Sequence, residues 1–148
     1  METNSDFVDL LRAFNDAGVE YLIGAYAVAL YARPRATGDL DVLVRPSREN
    51  AERVHRALAE FGAPLDQLAI TELQSDDLIF QIGVGPVRVD VITSIDGVDF
   101  ESAWVGKVRS TIGGVAINVI GREELVANKR AAGRPKALAD LETLLDDR

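Results

Sequence analysis

Cysteine is absent from the 148-residue chain, and histidine, methionine and tryptophan occur once each. Without thiols there is no disulfide, no thiolate zinc site and no cysteine nucleophile, so a bound metal must be held mostly by oxygen, which favours Mg²⁺ or Mn²⁺. No apolar run approaches the roughly 20 residues of a membrane span, and the start METNSDF lacks the basic and apolar parts of a signal peptide; a cytoplasmic protein with no membrane partner is expected. Basic residues are scarce: 16 against 24 acidic ones leave a net charge of −8. That balance disfavours long-range attraction to nucleic acid or anionic membranes, and an RNA acceptor would need a local basic patch built from residues such as Arg33, Arg35, Arg130 and Arg134. What is present is ordinary for a folded domain, 47% hydrophobic and 27% charged. The length fits a single domain over residues 1–148 with a sizeable core.

Along the chain, Phe7, Leu10, Leu11 and Phe14 recur at helical spacing between Ser5 and Ala17, and Gly18 ends that helix. VEYLI (19–23) predicts a short strand running into Gly24, and AYAVALYA after it is rich in helix formers. Pro34 breaks this helix ahead of a strand, DLDVLVR (39–45). Ser47 caps a helix over 48–61 that Gly62 closes, with Ala51, Val54, Leu58 and Phe61 inward and His55, structural, at its margin. Residues 63–76 look less regular. DLIFQI and VRVDVIT flank the turn sequence GVGP and predict an antiparallel pair, 99–105 a helical turn, and VRSTIGGVAINVI a second hairpin. From Arg122 the chain is helical, broken at Gly133 and Pro135, with Leu138, Leu141, Leu144 and Leu145 on the buried face of the last helix. The pattern predicts an α+β fold, a mixed sheet layered with helices.

Within GDLDVLV (38–44), Asp39 and Asp41 interrupt an apolar strand. Their backbones lie roughly 7 Å apart and their side chains share one face. Like charges so placed call for a cation. Asp90, on the strand VRVDVIT beside Arg88 and Ile92, is a third carboxylate if the two strands are neighbours, and such a triangle suits one or two divalent ions in phosphoryl or nucleotidyl transfer. A lone Asp-x-Asp also fits a strand start and an exposed edge, with Asp90 paired to Arg88, because short motifs recur by chance. The glycine at the strand-to-helix turn, Gly24, permits close approach of a ligand, and the N–H groups opening a helix favour an anion such as a phosphate. Taken alone, it fits a plain glycine turn better, because glycine turns are common.

Together, LIGAYAVALYARPRATGDLDVLV resembles the signature of the DNA polymerase beta-like nucleotidyltransferase superfamily: apolar strand, small-residue turn, helix, Asp-x-Asp strand, and a later acidic strand. The Arg and Thr ahead of the acidic pair, and ELVANKRAAGRPKALADLE near the C-terminus, are similar to the minimal and AbiEii-like branch. The resemblance implies a nucleotidyltransferase-like fold with C-terminal helices. It implies an NTP held at Gly24, Ala25, Arg33, Thr37 and Lys129, and Mg²⁺ or Mn²⁺ on Asp39, Asp41 and Asp90. These three Asp residues would be catalytic, with Asp90 activating a hydroxyl acceptor on a protein, RNA or small molecule and pyrophosphate leaving; Asp140 matches a further motif position. Ala25 departs from the usual Ser or Gly. It keeps open an inactive nucleotide- or protein-binding module, including one half of a toxin–antitoxin pair. Tyr26 and Trp104 are candidates for stacking on a base, or for the core.

Overall fold

The computed structural model describes residues 5–24, 39–83 and 88–133. The predicted helix after Gly24, the Pro34 break, most of the GVGP turn and the leucine-rich last helix lie outside these residues. So do Ala25, Tyr26, Arg33, Arg35, Thr37, Arg134 and Asp140, and of Asp39 only the backbone is described.

Helix α1 spans Ser5–Ala17, and its apolar stripe is fully realised: Leu10, Leu11 and Phe14 have no solvent exposure. Each such side chain contributes about 1.5–3 kcal/mol by leaving water. Strand β1 (Tyr21–Ile23) is shorter than VEYLI, and β2 is Asp39–Val44. The ladder stops where a side chain takes over from the backbone. Buried Asn50 accepts from Glu20 N (2.7 Å) and donates to the carbonyls of Glu20 and Arg45 (both 3.0 Å). Helix α2 (Arg48–Phe61) has the expected ends, with Asn50 N donating to Ser47 Oγ (3.2 Å) and Gly62 left-handed at φ 95°. Within 63–76, Ile70–Gln74 form a 3-10 turn, fastened where Ala69 N donates to Glu72 Oε1 (2.9 Å).

Strands β3 (Ile79–Ile82) and β4 (Arg88–Ile92) pair antiparallel, as do β5 (Val108–Ile112) and β6 (Val115–Val119). Gly113 and Gly114 both have positive φ, 56° and 80°, as a two-residue hairpin loop of that hand requires. Helix α3 (Phe100–Val105) precedes this hairpin and α4 (Arg122–Ala132) follows it. The sheet order is β3-β4-β2-β1-β6-β5, with β2/β4 and β1/β6 parallel and the other neighbours antiparallel. This is the mixed-sheet α+β architecture expected.

Strand alternation sorts the two faces. Tyr21, Ile23, Val42, Val44, Val89 and Val91 meet α1 and α2 in the larger core. Leu22 and Leu43 face the other way, onto Phe100 and Ala103 of α3. Asp41 and Asp90 belong to this second face. Trp104 is structural there, stacked on Phe100 at 5.7 Å with Lys107 Nζ over its ring at 4.1 Å.

Candidate active site

The β2/β4 register sets Asp41 directly opposite Asp90, and Asp39 opposite Arg88. Side chains opposite one another on neighbouring strands share a face, with backbones roughly 4.8 Å apart. One strand further, Gly24 continues the β1/β2 ladder, its N–H donating to the Asp41 carbonyl (2.9 Å). On the far side, Gln81 is opposite Asp90. The result is a row across the sheet, Gln81, Asp90, Asp41, Gly24, within β3, β4 and β2 and just past the end of β1.

Gly24 matters through what it lacks. A β-carbon built there would touch Asp41 Cβ at 3.7 Å and the Asp41 carbonyl at 3.8 Å, so the missing side chain is open space beside the carboxylate. Its N–H is spent on Asp41. Backbone donors for an anion must therefore come from later residues, and Gly24 itself offers room only.

Helix α4 covers part of this face. Leu125, Asn128 and Lys129 line a cleft with Gly24, Asp41 and Leu43, so the expected phosphate-binding lysine shares a cavity with one expected metal ligand. The helix is held by close backbone approach. A β-carbon on Gly121 would collide with the Gly106 carbonyl, and one on Gly97 with Ala131 Cβ. Asn128 Nδ2 donates to the Asp96 carbonyl (2.9 Å), fixing the turn of α4 that carries Lys129. Sequence reading missed Asn128, and only its position beside Lys129 could have pointed to it.

Asp90 is 13% exposed, and its Oδ1 lies 3.2 Å from Arg88 Nε. That oxygen is shielded from solvent and accepts no hydrogen bond. A buried carboxylate oxygen satisfied only by an ion-pair contact is under-coordinated, and with Asp41 alongside, the donor set suits a hard divalent ion. Among the described residues no three acidic or histidine side chains are grouped closely enough to hold a metal by themselves. The third carboxylate expected, Asp39, is in register but its side chain lies outside the described residues.

The chain belongs to the family described as "Nucleotidyl transferase of unknown function (DUF2204)", whose profile matches residues 3–146. It is thereby a member of a nucleotidyltransferase family. No curated protein sequence matches it. Among solved structures, a lincosamide antibiotic adenylyltransferase crystallised with lincomycin bound is similar in fold, with a TM-score of 0.62 at 12% identity, covering 99% of this chain and 98% of that one. Among the described residues no helix is long and apolar enough to cross a membrane.

Proposed function

We propose that this nucleotidyltransferase moves an NMP from an NTP to a hydroxyl acceptor, with Asp39, Asp41 and Asp90 holding Mg²⁺ or Mn²⁺. The observation that carries the reading is the Asp90, Asp41, Gly24 row with Lys129 on the cleft wall beside it. When bound, the ion supplies charge neutralisation on the triphosphate and acidifies the acceptor hydroxyl. The chain's own residues position the rest. Lys129 faces the phosphates, the gap at Gly24 admits them, and Ala25, Arg33 and Thr37 complete the nucleotide site. The hydroxyl oxygen attacks the α-phosphorus, the bond to pyrophosphate breaks, and the acceptor proton passes to the Asp90 carboxylate. A cytoplasmic protein or small-molecule acceptor suits the charge of −8 better than a nucleic acid does. The motifs around Asp39 and Lys129 are similar to those of the AbiEii-like branch, and a place in a toxin–antitoxin pair goes with the alternative of an inactive binding module.

The test is transfer of label from each α-labelled NTP with Mg²⁺ to protein, RNA or small-molecule fractions of a lysate. Asp41→Asn keeps the side chain's size and removes its charge, so transfer should fall by about two orders of magnitude or more while the fold survives. A protein that labels nothing, yet binds a partner equally well with Asp39, Asp41 and Asp90 all changed to Asn, would be a binding module instead.

A further inference from the structure

Arg88 is a basic side chain that the sheet itself places in the carboxylate row's neighbourhood. It stands two residues before Asp90 on β4, on the same face, in register with Asp39, and its Nε lies 3.2 Å from Asp90 Oδ1. Arg88's side chain is 42% exposed and Asp90's only 13%, with Arg88 Nε and Asp90 Oδ1 themselves shielded, so the arginine has the freer path outward. The contact is an ion pair without being a hydrogen bond, since Asp90 Oδ1 accepts none. A guanidinium held to a carboxylate in this way neutralises it but leaves its lone pairs poorly used.

We infer that Arg88 is an internal counter-cation of the site, and that it and a divalent ion are alternative partners of Asp90. The inference rests on the reading that Asp41 and Asp90 hold the metal. With no metal bound, Arg88 offsets the repulsion between two carboxylates in register. Metal binding requires Arg88 to leave Asp90 Oδ1, toward the solvent that its side chain already reaches. Two effects then have the same sign. Removing the arginine abolishes competition for the oxygen, and it deletes a positive charge close to an incoming cation. Arg88 is thus a positioning residue that sets how tightly the site takes its ion.

The experiment is Mn²⁺ titration of the full chain without nucleotide, reading unbound Mn²⁺ by electron paramagnetic resonance and the metal-induced rise in melting temperature in parallel. Arg88→Gln should tighten Mn²⁺ binding by roughly 2- to 5-fold, the scale of losing one partly exposed ion pair. It should melt lower than the unmodified protein without metal, yet gain more from Mn²⁺. Arg88→Lys, which keeps the charge, should stay near the unmodified value. Arg88→Gln with unchanged or weaker Mn²⁺ binding, in a chain whose binding is lost in Asp90→Asn, overturns the inference and leaves the metal site standing. If the unmodified chain and Arg88→Gln both ignore Mn²⁺, or Asp90→Asn binds it as well as the unmodified chain, the metal site itself fails and the inference with it.

Discussion

Replacing Gly24 by alanine separates what the fold needs at this position from what the site needs. The backbone there has no positive φ, so alanine meets no conformational penalty. The new methyl would sit 3.7 Å from Asp41 Cβ and 3.8 Å from the Asp41 carbonyl, ordinary contact distances. The N–H bond to Asp41 is unaffected. Loss of glycine's freedom in the unfolded chain stabilises by about 0.4–1 kcal/mol. At roughly 2–4 °C per kcal/mol for a chain of this size, the melting temperature should hold or rise by about 1–4 °C. Catalysis should go the other way. The methyl occupies the space beside the carboxylate through which a phosphate would approach, and a misplacement of about 1 Å can cost about 100-fold. Calorimetry on both proteins, followed by label transfer at saturating and limiting NTP, decides the matter. A Gly24→Ala protein that melts several degrees lower, or that transfers nucleotide at the unmodified rate, would refute the assignment of this gap to the ligand.

Two further substitutions probe the scaffold. Gly121→Ala puts a β-carbon against the Gly106 carbonyl and 2.6 Å from Glu124 Oε2. The expected loss is about 1–3 kcal/mol, seen as a lower urea midpoint, together with weaker NTP binding as α4 and its Lys129 shift. Tyr21 is buried with its hydroxyl on Asn15 Oδ1 (2.9 Å), and burial above all pushes its pKa up from 10.0 to about 12. A folded-state pKa raised in this way gives stability that is complete below pH 10 and is lost as pH climbs toward 12, about 2–3 kcal/mol in all. Tyr21→Phe should therefore be about 1 kcal/mol less stable near pH 8, and should overtake the unmodified protein above about pH 11 in denaturant melts; parallel curves would refute it.

Features decided by neighbours in sequence were the legible ones. Ser47 and Gly62 announce both ends of α2 because capping and the left-handed turn are local chemistry, and Gly113–Gly114 announces its hairpin for the same reason. The ends of β1 were not legible, because Asn50, thirty positions away, supplies the bond that Glu20 N would otherwise make within the ladder. Parity put Asp39 with Asp41, and Asp90 with Arg88, on one face of their own strands from sequence alone. That β2 and β4 are neighbours came only through the family resemblance, and the register came from the structure. The seating of α4 had no signature in the sequence, since it depends on glycines brought together from three separate loops.

Those glycines have a consequence for how such a cleft changes over time. At Gly97 a β-carbon would meet Ala131 of α4, at Gly121 the Gly106 carbonyl, and at Gly106 the Glu124 carboxylate, so α4 lies close against the loops that carry Gly97 and Gly106. The width of the cleft that Lys129 lines is then set in part by small residues outside the Asp41 and Asp90 row. An added methyl at Gly97 or Gly121 would press on Ala131 or on the Gly106 carbonyl and shift the wall bearing Lys129, with Asp41 and Asp90 unchanged. Under the proposed function, a lineage taking a bulkier acceptor has these spacer positions open to it first, with Asp41 and Asp90 left in place.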